Sequence, residues 1–189
     1  MISSMVVIPA KAGIRGKHRR KGKTIVTDTA STEPQKPPRD KPRIKIVPPK
    51  LALMFLLGGI VINFILPARP FDFWTAFFLG LLLAPVGGGV AWWGFKTFAD
   101  HKTDFRIDRP ASCVVTSGPY AFTRNPIYVG GAILYAGLAL LFDSGWALVG
   151  LAPLMYILHQ RVVLPEEDYL EKKFGQTYLD YKAKVKRWL

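Results

Sequence analysis

Four apolar runs alternate with polar, proline-containing segments between residues 50 and 164. They cover residues 50–67, 73–95, 126–142 and 145–164. Each run approaches the roughly 20 residues that an α-helix needs to cross a bilayer core of about 30 Å. Trp74 and Trp92 lie near opposite ends of the second run, as interfacial aromatic belts do. The pattern predicts an all-α polytopic integral membrane protein with about four transmembrane helices.

The connections between the runs constrain how the helices pack. Only Asp143 and Ser144 separate the third and fourth runs, and so short a connection predicts an antiparallel helical hairpin. Pro85 and the glycines at 87–89 interrupt the second run, which favours a kink and close helix packing over a ligand contact. After residue 164 the chain becomes polar, and we expect cytoplasmic helices over 165–189.

Charge is unevenly distributed along the 189 residues, whose formal net charge is +13 although half of them are hydrophobic. Thirteen of the 26 Lys and Arg residues lie in residues 1–50. Most of the others lie in the 96–125 connection and after residue 164. With all three regions on one side, the four spans obey the positive-inside rule. We therefore expect a bacterial inner membrane or its equivalent, with both termini in the cytoplasm.

The basic segment at residues 1–48 has no sustained hydrophobic period and is predicted to be a disordered tail ahead of a membrane domain at 49–189. Its run at residues 17–23 allows a partner- or nucleic-acid-binding function. No base-stacking element accompanies that run, which favours contact with lipid headgroups instead. Cys113 is the single cysteine, and the three histidines have no metal-ligand spacing, so no metal is expected.

Two polar clusters flank the predicted hairpin at the same end. The first reads Thr-Ser-Gly-Pro-Tyr-Ala-Phe-Thr-Arg-Asn-Pro-Ile-Tyr over residues 116–128; the second contains Leu-Pro-Glu-Glu at 164–167 and Phe-Gly-Gln-Thr-Tyr at 174–178. Because both adjoin the end of the hairpin opposite its short turn, they can converge on one ligand at the membrane surface. An interfacial anchor and ordinary helix starts are the structural alternatives.

The first cluster suits an anion and the second a cation. Asn125 and Pro126 fit the cap and first position of a helix, whose free N–H groups attract a carboxylate, and Arg124 adds positive charge. Glu166 or Glu167 can face a sulfonium or an ammonium group. Arg161 either anchors the fourth span at the interface or grips a substrate anion.

These clusters resemble, in order and spacing, those of the isoprenylcysteine carboxyl methyltransferase family, related to phospholipid methyltransferases; the resemblance covers about residues 90–189. It implies S-adenosylmethionine as cofactor and a hydrophobic, lipid-like acceptor. The donor-binding residues that it implies are Ser112, Cys113, Val114, Val115, Tyr120, Arg124, Asn125, Pro126, Ile127, Tyr128 and Glu166. Glu166, Glu167 and Arg161 are the catalytic candidates. The family has His where this chain has Asn125, which puts any acid–base role there in doubt.

Methyl transfer from a sulfonium to a carboxylate removes two opposite charges, so a water-poor site at the membrane edge favours it. An ionised carboxylate also needs no general base. The leading prediction is therefore carboxyl O-methylation of the isoprenylcysteine type. Phospholipid N-methylation and thiol S-methylation stay open, as does a non-enzymatic membrane protein with a basic partner-binding tail.

Overall fold

The chain is described by a computed structural model over residues 7–9, 46–100 and 113–189. The ten elements in chain order are β1 (Val7–Pro9), α1 (Pro48–Ile65), α2 (Phe73–Asp100), β2 (Cys113–Val115), a 3₁₀ helix (Gly118–Ala121), α3 (Pro126–Leu141), α4 (Gly145–Leu158), a π-helical turn (His159–Val163), α5 (Leu164–Phe174) and α6 (Gln176–Lys184). The described part is thus almost entirely helical, which confirms the predicted class.

Three helical segments within the described part are long and apolar enough to cross a membrane. They are α1, α2 and the continuous 30-residue helix Gly145–Phe174, which joins α4, the π-helical turn and α5. The apolar part of that third helix ends at Leu164. Helix α3 is apolar but has 16 residues, or about 24 Å. Three of the four predicted spans are therefore supported by length, and α3 is shorter than a bilayer core.

Helices α2 and α3 pack backbone to backbone through glycines spaced seven residues apart. A Cβ at Gly80 would lie 2.8 Å from the carbonyl oxygen of Gly137, and one at Gly87 would collide with the backbone of Leu134. Gly94 faces Ile127 in the same way. The three contacts run in opposite directions along the two helices, which makes the pair antiparallel. Gly88 and Gly89 face open space, so only the first glycine of the predicted packing motif makes the contact.

Helix α1 lies against α4, where a Cβ on Gly59 would be 2.5 Å from both Cα and N of Ala147. The buried residues around this contact form the main apolar core, with Leu56, Tyr135, Leu154 and Leu158 among them. The Tyr135 hydroxyl donates a hydrogen bond to the Ala147 carbonyl at 3.0 Å. The bundle therefore pairs α1 with α4 and α2 with α3, while α3 contacts α4 through Tyr135 as in the predicted hairpin.

At one end of the bundle, residues 63–72 and 142–147 form what we call the hairpin end. The Asn63 side chain donates to the Asp143 carbonyl and accepts from the Ala68 N–H. The Ser144 hydroxyl caps α4 by accepting from Ala147 N–H, and it donates to the Gly59 carbonyl. These bonds join the loop before α2 to the turn between α3 and α4.

Most of the predicted tail lies outside the described residues, including the basic run at 17–23. Two points within the description differ from the prediction of a disordered segment over 1–48. Val7–Pro9 pair antiparallel with Cys113–Val115, with Ile8 opposite Val114. Helix α1 already begins at Pro48, because a proline is well accommodated in the first turn of a helix.

Candidate functional site

The predicted polar clusters meet at the other end of the bundle, which we call the site end: residues 94–100, 113–126 and 159–189. Its floor is recessed. Gly94 of α2 faces Ile127 in the first turn of α3, whereas α2 continues for six more residues, about 9 Å, to Asp100. The 145–174 helix also continues past its apolar part, so both α2 and this helix extend beyond the start of α3.

The corner at residues 123–125 is fastened to the segment that follows α6. Arg124 N–H donates to the Lys186 carbonyl at 2.9 Å. The Arg187 carbonyl accepts from the Thr123 hydroxyl at 3.1 Å and from the Asn125 amide at 3.0 Å. The predicted side-chain cap by Asn125 is therefore wrong: α3 begins at Pro126 without one, because the amide is engaged with Arg187.

Glu167 joins the two clusters through buried ion pairs. Both of its oxygens accept hydrogen bonds of 2.9 Å from the Arg187 guanidinium, and Arg124 Nη1 lies 3.4 Å from Oε1. The side chains of Glu167 and Arg124 are each only 8% exposed. The hydrogen bonds with Glu167 raise the pKa of Arg187. Glu167 thus holds the site together, and Arg187 is part of it.

Arg124 is incompletely satisfied by these contacts. Its Nε and Nη1 atoms are buried and donate no hydrogen bond within the described residues, although Nη1 lies in ion-pair range of Glu167. A buried guanidinium N–H without a partner is costly, and an anion is its natural acceptor. Arg124 directly precedes Asn125 and the first turn of α3, whose N–H groups are also free of intrahelical partners. The two features together suit a ligand carboxylate.

Glu166 differs from its neighbour because nothing in the described chain donates a hydrogen bond to its carboxylate. It keeps part of its surface accessible while lying among protein groups, and its charge acts on the hydroxyls of Tyr120, Tyr128 and Tyr178. Burial, together with the adjacent Glu167, raises the pKa of Glu166 to about 7. An unpaired carboxylate in such surroundings is suited to a cationic ligand.

Two of the tyrosines extend this polar surface. Tyr120 is buried and makes an edge contact with Phe98 at 4.9 Å between ring centroids. Burial and the Glu166 charge raise the pKa of Tyr120, so its hydroxyl stays protonated. Its backbone carbonyl accepts from the Tyr181 hydroxyl at 2.7 Å. Tyr128, one turn into α3, contributes a second hydroxyl within range of Glu166.

The strand β2 lies between these groups and α6. The side chains of Cys113 and Val115 pack with Tyr120 and Phe98. Val114 points to the other face and packs with Tyr178 and Tyr181, so its side chain belongs to a packing cluster. Ser112, the remaining member of the predicted segment, lies outside the described residues. The turn that follows uses Gly118 at φ +60, where a Cβ would approach the Thr97 hydroxyl to 2.9 Å.

Arg161 is separated from the other candidates. It lies in the π-helical turn, is exposed, and has no ion-pair partner within the described residues. Both roles given to Arg161 from the sequence, interfacial anchor and contact with a substrate anion, stay predictions. The same turn carries His159, whose ring lies 6.0 Å from that of Trp188. π-Helical turns often occur at functional sites because they redirect side chains at a helix end.

The sequence did not indicate Phe98 or Arg187 as site residues. Thr123 lies within the first predicted cluster, but no role was assigned to it. Arg187 pairs with an acid 20 positions earlier, and Phe98 precedes an undescribed connection. A local sequence pattern cannot predict contacts between residues that lie so far apart in the chain. Pro126 and Ile127, by contrast, lie in the first turn of α3 as predicted.

Comparison with known proteins gives a consistent result. The family model "Phospholipid methyltransferase" matches residues 75–177, more than half of the chain. The matched region contains all but the first two residues of α2, together with β2, α3, α4 and α5, and therefore the first polar cluster and the second as far as Thr177. It starts after α1 and stops at the beginning of α6.

Individual relatives match shorter stretches. Protein-S-isoprenylcysteine O-methyltransferase of Xenopus laevis is 36% identical over 72 residues, which is 38% of this chain and 25% of that protein. The Dictyostelium discoideum protein of the same name is 29% identical over 72 residues, 38% of this chain and 30% of its own length. An uncharacterized protein of Haemophilus influenzae is 33% identical over 63 residues, a third of this chain and its own full length. The match thus spans at most a third of the named enzymes.

Proposed function

Since the chain belongs to the phospholipid methyltransferase family and is a membrane methyltransferase, we propose that it moves a methyl group from S-adenosylmethionine to a lipid-like acceptor. The observation that supports this best is the half-buried carboxylate of Glu166, which accepts no hydrogen bond from the described residues and whose charge acts on the hydroxyls of Tyr120 and Tyr128 beside the recessed start of α3. A polar surface of this kind, recessed at the edge of apolar helices, can bind a charged ligand next to a lipidic one.

The residues present fit the charge pattern of the donor. We propose that Glu166 attracts its positive groups, the sulfonium and the α-ammonium, while Arg124 and the first turn of α3 receive its carboxylate. The buried Arg124 N–H groups without hydrogen bonds support the second assignment. The hydroxyls of Tyr120 and Tyr128 add hydrogen-bond donors. When bound, S-adenosylmethionine supplies an electrophilic methyl group that needs no metal activation.

The acceptor that we propose first is a carboxylate on a hydrophobic molecule, as in carboxyl O-methylation of the isoprenylcysteine type. The nucleophile is then already ionised, and the protein has only to align it and exclude water. The apolar helices allow such an acceptor to enter from the bilayer. The similarity to two isoprenylcysteine O-methyltransferases supports this choice.

One observation favours phospholipid N-methylation as the second candidate. An amine acceptor must lose a proton before it attacks, and a carboxyl group with a pKa near 7 is well matched to receive that proton. The pKa of Glu166, raised to about 7 by burial and Glu167, has this property. Under this alternative Glu166 is a general base, whereas under the first it provides electrostatic attraction only.

The acceptor chemistry can be tested with protein purified in detergent micelles and donor carrying a radiolabelled methyl group. Three acceptors should be compared: a farnesylated cysteine with a free carboxylate, phosphatidylethanolamine and a long-chain thiol. A methyl ester releases labelled methanol in mild base, whereas N-methyl and S-methyl products keep the label. We expect base-labile label on the farnesylated cysteine. Stable label on phosphatidylethanolamine would establish the second candidate, and no transfer to any acceptor would contradict both.

We also propose that the site end faces the cytoplasm, where S-adenosylmethionine is made. This agrees with the Lys and Arg residues of α5 and α6 and with the positive-inside rule. Reporter fusions after residue 189 and within residues 143–144 should report opposite sides, with the first in the cytoplasm. A reporter after residue 189 that is active outside would contradict this orientation.

A further inference from the structure

Arg187 connects the separate pieces of the site without approaching the proposed ligand groups. Its guanidinium makes two hydrogen bonds of 2.9 Å to Glu167, on α5. Its carbonyl accepts from Thr123 and Asn125 at the start of α3. The next residue, Trp188, contacts the His159 ring in the π-helical turn. One short segment after α6 therefore fixes three elements, and Arg187 makes most of those bonds.

We propose that Arg187 is a positioning residue for the methyl donor: by holding Glu167 in a bidentate pair, it leaves the adjacent Glu166 turned toward Tyr120 and Tyr128. This inference rests on the proposed function and adds a residue to it. The two acids are successive residues of one helix and so differ by about 100° in direction. If Glu167 is fixed toward Arg124 and Arg187, the direction of Glu166 is fixed as well.

The charges around Glu166 and Glu167 make the positioning role of Arg187 measurable. Within the described residues, Arg124 and Arg187 are the cations that pair with Glu167, next to Glu166, and the neighbouring hydroxyls of Tyr120, Tyr128, Tyr178 and Tyr181 are neutral. Counted over the described residues, the cluster thus holds two cations and two carboxylates. Without Arg187 the cluster has one excess negative charge, which favours protonation of an acid. Glu166 would then ionise only at higher pH.

The test measures binding of S-adenosylmethionine by calorimetry in micelles from about pH 5.5 to 9. For Arg187→Ala we expect the pH midpoint of binding to move up by about one unit, with an affinity loss of about tenfold at neutral pH. Lys186→Ala is the matched control, because its exposed side chain is adjacent while its carbonyl bond to Arg124 is retained. It should bind like the parent protein.

Arg187→Lys keeps the positive charge but loses the bidentate hydrogen bonding to Glu167. We expect its pH midpoint to stay at the parental value, while its affinity falls to a level between the parent and Arg187→Ala. If Arg187→Ala fails to fold, Arg187→Lys still tests the inference. A purely structural role would lower affinity equally at every pH; that result, or parental binding by both variants, would overturn the inference.

Glu166→Ala separates this inference from the proposed function. If it abolishes donor binding while both Arg187 variants bind normally, the proposed function stands and the positioning role is wrong. If Glu166→Ala binds the donor as tightly as the parent protein, the proposed site itself is wrong.

Discussion

The two ends of the helical bundle use polar residues in opposite ways. At the hairpin end, the polar side chains have partners: Asn63 both donates and accepts, the buried Ser144 does the same, and the exposed Trp146 ring N–H donates to the Leu66 carbonyl at 2.7 Å. At the site end, Arg124 retains buried N–H groups without hydrogen bonds, and Glu166 accepts none from the described chain.

This contrast distinguishes polar groups that stabilise the fold from polar groups that are available to a ligand. A satisfied group stabilises the fold, whereas an unsatisfied buried group costs free energy until something binds it. The hairpin end has one exception, Asp143 Oδ1, which is buried without a hydrogen bond while Oδ2 pairs with Arg69 at 3.1 Å. At the site end the unsatisfied groups are several and of both signs. We therefore expect substitutions at the two ends to affect different properties.

The largest expected effect is that of Glu166→Ala on donor binding. Truncating one member of a desolvated charge pair typically costs 2 kcal/mol or more, so affinity should fall about 30-fold or more. The thermal unfolding midpoint in detergent should stay the same or rise, because an unpaired carboxylate has been removed. Calorimetry and a thermal melt on the same sample check both expectations. A protein that loses stability and binding in parallel would show that Glu166 is structural.

The pH dependence of Glu166 provides the next prediction. Its pKa in the folded protein is about 7, above its ordinary value of 4.5, because it is buried and lies beside Glu167. Affinity for the cationic donor should therefore rise as pH increases through about 7, by up to about tenfold per unit below the midpoint. In Glu166→Gln this pH dependence should disappear. A parental pH profile in that variant would assign the titration to another group.

The same shift affects stability with a definite sign. The folded state holds the Glu166 proton more tightly than the unfolded state, so this group contributes stability at low pH. That contribution is complete below about pH 4.5 and is lost as pH rises through about 7. Glu166→Gln should therefore gain stability relative to the parent on going from pH 5 to pH 8.

The packing of α2 against α3, in the middle of the bundle, offers a matched pair of variants. A Cβ at Gly87 would collide with the backbone of α3 at Leu134, whereas one at Gly88 would meet nothing within 4 Å. Gly87→Ala should force α2 and α3 apart and cost about 1–3 kcal/mol of stability. Gly88→Ala should be neutral or slightly stabilising, because it lowers the entropy of the unfolded chain. Equal melting midpoints for the two variants would contradict the close packing of this helix pair.

The sequence predicted the helices well because their signals are local. The apolar runs located α2, α3 and α4 to within a few residues at their starts, and Gly175, at φ +54, ends α5 as its lack of a side chain allows. The run at 126–142 likewise predicted both ends of α3 to within one residue, but not how those ends pack. Its first turn and its last are set by contacts with Gly94 and Gly80 of α2, which only the packed structure shows.

The sequence predicted the two clusters of the site but not which role each residue in them has. The glutamate pair and the Arg-Asn-Pro corner were identified from sequence alone. Which acid is paired and which is unpaired depends on Arg187, 20 residues further along, and the same residue takes the Asn125 amide away from the helix cap. Helix geometry separates adjacent side chains, but only tertiary contacts decide which of them faces the ligand.

The smallest effect that we predict lies at the hairpin end. Ser144→Ala removes a buried hydroxyl that accepts from Ala147 N–H and donates to the Gly59 carbonyl, each at 3.2 Å. We expect a loss of about 1 kcal/mol in stability, with methyl transfer per folded molecule unchanged. Asp72→Ala is the control, since Asp72 caps α2 in an exposed position where water can replace it. Reduced turnover in Ser144→Ala at full folding would mean that the two ends are coupled, because a bond far from Glu166 would then influence the chemistry there.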